Sequence, residues 1–132
     1  MLVTRETDYA IRTVVYLARQ RDRVANVAEV AEAMNIPKSF LAKIVQRLAR
    51  KKLLESLRGV NGGFRLTKSP SKITLLAILE AIQGMASINL CVAGRKKCGM
   101  SPTCAVHPIW VDIRRDVERK LGDQTIAGLL GA

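Results

Sequence analysis

The chain opens with apolar residues at the spacing that one face of an α-helix requires. Between Thr4 and about Gln20 they recur three and four positions apart, and Thr4 has a side chain suited to an N-cap. A second, shorter segment runs from Asn26 through Met34, and Glu29 stands three residues after Asn26, an arrangement that resembles a capping box. Both segments are therefore predicted to be helices.

A third helix is predicted to begin at Pro37, because a first helical residue tolerates a missing N–H, and to run to about Lys52. A tight turn at Asn35 and Ile36 precedes it. Its two faces differ in chemistry: Leu41, Ile44, Val45 and Leu48 face inward, and Lys38, Ser39, Lys43, Gln46, Arg47 and Arg50 face outward. Two short helices joined by a tight turn, the second with a basic outer face, predict a helix-turn-helix.

A β-hairpin is predicted directly after this basic helix. Strand-like runs from Leu54 to Arg58 and from Phe64 to Thr67 flank the segment Gly59-Val60-Asn61-Gly62-Gly63. Its Asn-Gly pair favours a tight turn, since both residue types tolerate positive φ. The glycines and the neighbouring arginine suit a close approach to a phosphate backbone, so we interpret the hairpin as a wing instead of an ordinary surface hairpin.

Two further helices are predicted beyond the wing. The first follows the break at residues 69–71, runs from Thr74 to Gln83 and ends at Gly84. A loop of about 20 residues comes next, a length that is uncommon unless the loop has a function. The last helix carries a narrow apolar stripe formed by Val106, Trp110, Ile113, Val117 and Leu121. Such a stripe suits packing against a second copy of the chain, so we expect a homodimer; packing on the chain's own domain is the alternative.

Composition and charge narrow the class of partner. Hydrophobic residues make up 48% of the chain and aromatic residues 4%, which favours a core of packed helices. Lys and Arg number 22 against 11 Asp and Glu, giving a net charge of +11. This excess predicts an anionic polymer as partner, and with a helix-turn-helix it favours double-stranded DNA over RNA or an anionic membrane surface. A dimer of this kind is expected to read a palindromic operator.

Other classes of protein find little support in the chain. No apolar run approaches the roughly 20 residues that cross a bilayer, and residues 1–9 carry charges where a signal peptide would be apolar. We therefore expect a cytoplasmic protein without a membrane partner. The chain has no phosphate-cradling glycine loop and no catalytic constellation, so we do not expect an enzyme.

The cysteines cluster in and beside the long loop. They are Cys91, Cys98 and Cys104, spaced C-x6-C-x5-C, and His107 is the only histidine in the chain. An odd number of cysteines in a reducing compartment argues against a disulfide framework. Three thiolates and an imidazole can hold zinc or an iron–sulfur cluster, and the absence of a close cysteine pair favours the cluster. Unligated thiols and a metal-free thiol–disulfide switch are the alternatives.

Taken together, these motifs resemble the Rrf2 family of winged helix-turn-helix iron–sulfur regulators, which includes the IscR and NsrR types. The resemblance covers nearly the whole chain and rests on Thr7-Asp8-Tyr9-Ala10, on residues 58–63, on the three-cysteine loop and on Thr125-Ile126-Ala127-Gly128-Leu129. It implies a homodimer joined through the long C-terminal helix. It also implies recognition helices in major grooves and wing tips in minor grooves.

The resemblance further implies an iron–sulfur cluster on Cys91, Cys98 and Cys104 with a fourth ligand. His107 resembles the IscR pattern, which holds a 2Fe-2S cluster, and we prefer this assignment. Asp8 resembles the NsrR pattern, in which an aspartate from the other subunit's first helix completes a 4Fe-4S site. The first cysteine gap, six residues, is longer than in the IscR pattern, so cluster type stays open.

The family pattern also implies which residues contact DNA. Base contacts fall at the start of the recognition helix and minor-groove contacts on the wing: Lys38, Ser39, Phe40 and Lys43 on the helix, and Arg58, Gly59 and Asn61 on the wing. Phe40 equally suits a place in the core. Arg47 and Arg50 are predicted to bind phosphate, which raises affinity without reading sequence.

The sequence thus predicts a mostly α-helical fold with a small β-hairpin wing and a long C-terminal dimerisation helix. Residues 1–84 would form the DNA-binding domain, residues 85–105 the cluster-binding loop, and residues 106–132 the dimerisation helix and tail. We expect a transcription regulator, a repressor and redox sensor, whose operator affinity depends on a cluster sensing iron–sulfur status, nitric oxide or redox state. The alternative is a cluster-free repressor of the same fold, controlled by thiol oxidation or a partner protein.

Overall fold

A computed structural model of the protein describes residues 3–20, 23–84 and 103–131. In chain order its elements are α1 Arg5–Arg19, α2 Val27–Met34, α3 Lys38–Arg50, β1 Leu54–Leu57, β2 Gly63–Leu66, a short 3₁₀ helix Pro70–Lys72, α4 Leu75–Gln83, α5 His107–Asp123 and α6 Ile126–Leu129. The two strands form an antiparallel hairpin. The predicted fold class, mostly helical with a small wing, is confirmed.

The helix ends follow from local capping. The Thr4 side chain accepts a hydrogen bond from the Thr7 N–H at the start of α1, and the Asn26 side chain accepts one from the Glu29 N–H at the start of α2. The Glu29 carboxylate binds Tyr16 and Arg23, so the predicted capping box is formed only in its first half. Each of these helices therefore begins where its capping residue predicts.

The recognition helix α3 differs slightly from its predicted bounds. Pro37 lies at the N-cap, one position before the helix, and Lys38 is the first helical residue. The helix ends at Arg50, because Lys52 adopts a positive φ of 62°. The predicted faces are confirmed: Leu41, Ile44, Val45 and Leu48 are buried, and Lys38, Ser39, Lys43, Gln46, Arg47 and Arg50 are exposed.

The wing is tied to the rest of the domain by its second strand. Phe64 is buried and exchanges two backbone hydrogen bonds with Ala25, of 2.8 and 3.0 Å. The hairpin turn includes Asn61 and Gly62, as predicted, but neither residue adopts a positive φ. Positive φ occurs instead at Gly59 (116°), and the Gly62 N–H closes the turn on the Gly59 carbonyl at 3.0 Å, within a connection of five residues, 58–62.

The chain after α5 returns to the core beneath the helix-turn-helix. Ile126 is fully buried and belongs to the same hydrophobic cluster as α1 and α3. Its N–H donates to the Ile73 carbonyl at 2.8 Å, and the Leu75 N–H donates to the Gln124 carbonyl at 3.0 Å. The tail therefore completes the core of the DNA-binding part, while the boundaries expected for the three segments stay a prediction.

Candidate DNA interface and cysteine segment

The outer face of α3 presents a row of polar and basic side chains to solvent. Lys38, Ser39, Lys43 and Arg50 are all exposed. Phe40 shares this face: its side chain is 48% exposed, and its ring lies 6.4 Å from that of Tyr9 on α1. Phe40 is therefore a surface residue supported from one side, and not a core residue.

Arg47 has protein partners that the sequence did not predict. Its guanidinium lies 2.6 Å from the Glu6 carboxylate on α1 and 3.4 Å from the Ile82 carbonyl oxygen near the end of α4. Both members of the ion pair are 45% exposed, so solvent weakens their attraction. Arg47 thus joins the recognition helix to two elements behind it, and a phosphate group would have to compete with Glu6 for it.

The wing tip projects a short exposed segment. Arg58, Gly59 and Asn61 are exposed, as their predicted DNA contacts require. Val60, between them, is fully exposed, although our sequence analysis assigned it no role. The signal that could have identified it is a β-branched apolar residue in a segment otherwise made of turn-forming residues.

A polar cluster fixes α2, the first helix of the helix-turn-helix, against α1. The Tyr16 hydroxyl donates to the Glu29 carboxylate at 2.5 Å, and Arg23 forms an ion pair with the same carboxylate. These hydrogen bonds, from Arg23 first and Tyr16 second, hold the pKa of Glu29 below its usual value. The bond to Glu29 also raises the pKa of Tyr16, with a further contribution from burial. The cluster therefore needs an ionised Glu29.

Asp8, the alternative cluster ligand, lies in the first turn of α1. Its carboxylate is 2.8 Å from the Arg12 guanidinium, and its side chain is 52% exposed. Arg12 also donates to the Met34 carbonyl and lies 5.4 Å from the centre of the Tyr9 ring. Asp8 is therefore accessible, but it already has a cationic partner that is itself held in place.

The cysteine segment is described only at its end. Cys91 and Cys98 lie outside the described residues, so their predicted role stays a prediction. His107 is the first residue of α5, Cys104 lies three residues before it, and the His107 N–H donates to the Cys104 carbonyl at 3.3 Å. The Nδ1 atom of His107 is buried and has no hydrogen-bond partner among the described residues. A buried imidazole nitrogen without a hydrogen-bond partner fits a metal-ligand role, in the tautomer that leaves this nitrogen without a proton.

The long helix α5 leaves part of its apolar stripe uncovered. Val106, Ile109 and Ile113 are 38%, 55% and 37% exposed, respectively. The other residues of the stripe, Trp110, Val117 and Leu121, are half-buried, and α5 packs against α4. The uncovered apolar part therefore lies at the end nearest Cys104. No helix in the described part of the chain is long and apolar enough to cross a membrane.

A helix-turn-helix with a basic outer face, followed by a glycine-rich hairpin, defines a winged-helix DNA-binding protein. The chain belongs to the Rrf2 family, whose model, described as an iron-dependent transcriptional regulator, matches residues 3–132. The resemblance seen in the sequence is thereby confirmed, and the protein is a DNA-binding transcription regulator and not an enzyme.

Individual relatives agree with this assignment. The chain is 32% identical to an HTH-type transcriptional regulator of Aquifex aeolicus, over 98% of this chain and 92% of that protein. It is 31% identical to the regulator NsrR of Geobacillus kaustophilus, over 98% and 90%. Among solved structures it resembles T. potens IscR, with a TM-score of 0.80 and 19% identity over 99% of this chain and 87% of that one. It also resembles CymR, the global cysteine regulator of B. subtilis, with a TM-score of 0.77 and 21% identity over 98% and 95%.

Proposed function

We propose that this regulator binds a palindromic operator as a homodimer and that an iron–sulfur cluster on Cys91, Cys98, Cys104 and His107 controls its affinity. The observation that carries the proposal is the buried, unpartnered Nδ1 of His107, one turn from Cys104. The description of the family model as iron-dependent supports it. To act as the fourth ligand, Asp8 would first have to break its ion pair with Arg12.

The ligand residues have distinct chemical roles. Thiolates from the three cysteines suit iron, and the imidazole would bind through a neutral nitrogen, so protonation of His107 opposes binding. The cluster, when bound, supplies iron that reacts with oxidants and nitric oxide. We favour the 2Fe-2S type with His107, and a 4Fe-4S type completed by Asp8 of a second copy is the alternative.

The cysteine segment connects at both ends to elements that hold the recognition helix. It begins after α4, where the Gln83 side chain accepts hydrogen bonds from the Thr4 N–H (3.0 Å) and the Thr7 hydroxyl (2.7 Å) of α1. Arg47 of α3 contacts the Ile82 carbonyl at the same place. At its other end the segment enters α5, which packs on α4. A shift of the segment would therefore act on α1 and α3 together, and a coupling of about 1–3 kcal/mol changes operator occupancy five- to a hundredfold.

Dimerisation would use the uncovered apolar stripe of α5. In the proposed complex the two recognition helices enter major grooves about 34–36 Å apart. The residues that would face base edges in the major groove are Lys38, Ser39, Phe40 and Lys43. The wing residues that would enter the minor groove are Arg58, Gly59 and Asn61, and Arg50 would bind a phosphate. Arg47 would bind a phosphate only after breaking its ion pair with Glu6.

The test is an anaerobic purification followed by an ultraviolet–visible spectrum, iron and sulfide analysis, and operator titration of loaded and cluster-free protein at fixed salt. We expect broad absorbance between roughly 320 and 600 nm and a difference in affinity between the two forms. His107→Ala should alter the spectrum and Asp8→Asn should leave it unchanged; the reverse result would move the fourth ligand to Asp8. Protein that stays colourless and iron-free after reconstitution would contradict the proposal.

A cluster-free repressor controlled by thiol oxidation is the second candidate. The observation that favours it is the likeness to an oxidised form of S. aureus CymR, with a TM-score of 0.75 and 20% identity over 96% of this chain and 93% of that one. In that case mild oxidation of iron-free protein should change operator affinity reversibly, and replacing all three cysteines with serine should abolish the change. Unchanged affinity after oxidation would remove this candidate.

A further inference from the structure

Val60 occupies a position that neither packing nor turn chemistry explains. Its side chain is fully exposed at the tip of the wing. It is the second residue of the turn that the Gly62 N–H closes on the Gly59 carbonyl. Turns select residues such as glycine, proline, asparagine and aspartate, and a β-branched apolar side chain adds no hydrogen bond there. Val60 therefore offers its two methyl groups to whatever surface the wing tip meets.

The hairpin that carries Val60 is fixed to the domain at its base. The two hydrogen bonds between Phe64 and Ala25 attach the hairpin to the domain, and Arg65 pairs with Glu55 across the strands at 2.5 Å. A Cβ atom on Gly63 would collide with the Ala25 carbonyl oxygen, so the hairpin lies directly against that backbone. The direction in which the hairpin projects is therefore set before any partner binds.

The chemistry around Val60 indicates which surface it meets. Residues 56–62 include Arg58 and Asn61 but no acidic residue, in a protein of net charge +11. An arginine beside an apolar tip suits the minor groove of duplex DNA, where negative potential attracts the guanidinium and the sugars offer apolar contact. The minor-groove edge of an A·T pair lacks the amino donor that guanine carries.

We propose that Val60 is a specificity-determining residue that selects A·T pairs beneath each wing by excluding the guanine amino group. The inference rests on the docking of the wing in the minor groove described under the proposed function. When the Val60 methyl groups cover it, the guanine amino group would lose its hydrogen bond to water and find no acceptor in the protein. Burying a hydrogen-bond donor without a partner costs binding free energy. The selectivity therefore requires no hydrogen bond from the protein.

The experiment selects operators from a random duplex library with full-length protein held in one cluster state at 0.15 M KCl. We expect symmetric A·T positions outside the major-groove half-sites. Replacing such a pair with G·C should weaken binding about five- to tenfold. Replacement with inosine·C, which lacks the amino group, should leave binding unchanged. Val60→Thr, of equal size but with a hydroxyl that can accept from the amino group, should reduce the G·C penalty to less than twofold, and Val60→Ile should retain it.

Three results would overturn the inference: no A·T positions in the selected pool, equal penalties for G·C and inosine·C, or an undiminished penalty in Val60→Thr. The last would assign the preference to groove width sensed by Arg58. Arg58→Ala distinguishes this outcome from a failure of wing docking. If neither Arg58→Ala nor Val60→Thr changed operator affinity, the wing would not contact the DNA. Since one cluster state is used throughout, the outcome is independent of cluster control.

Discussion

Lys52 adopts a backbone conformation that usually belongs to glycine. Lys52 has a φ of 62° and lies just after the recognition helix. Its N–H donates to the Ala49 carbonyl, and the Leu53 N–H donates to the Leu48 carbonyl at 3.0 Å. Helices commonly end this way with glycine at the left-handed position, since a side chain there crowds the backbone. The protein therefore carries local strain in the turn between α3 and the wing.

Replacing Lys52 with glycine should stabilise the protein. Relief of the left-handed strain contributes about 1 kcal/mol, which for a chain of this size raises the Tm by roughly 3 °C. Thermal unfolding followed by circular dichroism measures the change. Lys51→Gly is the matched control, because Lys51 has φ −87° and no strain to relieve, so it should be neutral or destabilising. Equal Tm values for the two variants would contradict this account.

The environment of a single residue follows from the sequence where one period governs the pattern. The inward and outward faces of α3 follow from the 3.6-residue repeat, so every residue assigned to them was correct. The wing turn contains Asn61 and Gly62 as predicted, but the positive φ lies at Gly59, which the Asn-Gly pair does not indicate. The contact of Arg47 with Glu6 was missed, since nothing local links positions 41 residues apart.

At the scale of elements, the packing of α2 on α1 depends on ionised Glu29. Because hydrogen bonds from Arg23 and Tyr16 hold its pKa below the usual 4.5, the folded state binds the proton less readily than the unfolded state. The stability gained from this carboxylate is therefore fully present above about pH 4.5 and is lost as the pH falls through the folded-state pKa.

This predicts a pH-dependent difference between the wild-type protein and Glu29→Gln. The wild type should have the higher midpoint of urea unfolding at pH 7, and the difference should shrink as the pH is lowered below about 4.5. Tyr16→Phe keeps the Arg23 pair and removes one donor, so its difference from the wild type should have the same sign and a smaller size. A difference between wild type and Glu29→Gln that is constant from pH 7 to pH 3 would show that the Glu29 charge does not matter.

The elements themselves were largely predictable, and their long-range connections were not. Periodicity and capping residues located α1 to α4 and the hairpin to within a few residues. The link from Gln83 to Thr4 joins positions 79 residues apart, and burial of Ile126 places the tail inside the core. Such contacts depend on how elements pack, which no local pattern encodes. The spacing of Cys91 and Cys98 along the chain likewise does not predict their positions relative to His107, because those positions also depend on packing.

At the scale of the whole molecule, the uncovered stripe on α5 predicts how the dimer can be broken. Ile113→Glu places a charge in the proposed apolar contact, where Ile113 is 37% exposed in the single chain. We expect monomers in sedimentation velocity and a loss of operator affinity that exceeds the loss on unrelated DNA. Arg115→Glu, on the exposed side of the same helix, should remain dimeric. A dimeric Ile113→Glu would contradict the proposed interface.

The burial of Ile126 also affects the order in which a newly made chain matures. The core beneath the helix-turn-helix includes Ile126, so it cannot close until α6 has left the ribosome. A nascent chain therefore cannot complete its DNA-binding core until the C-terminal tail has been made and has packed beneath the recognition helix.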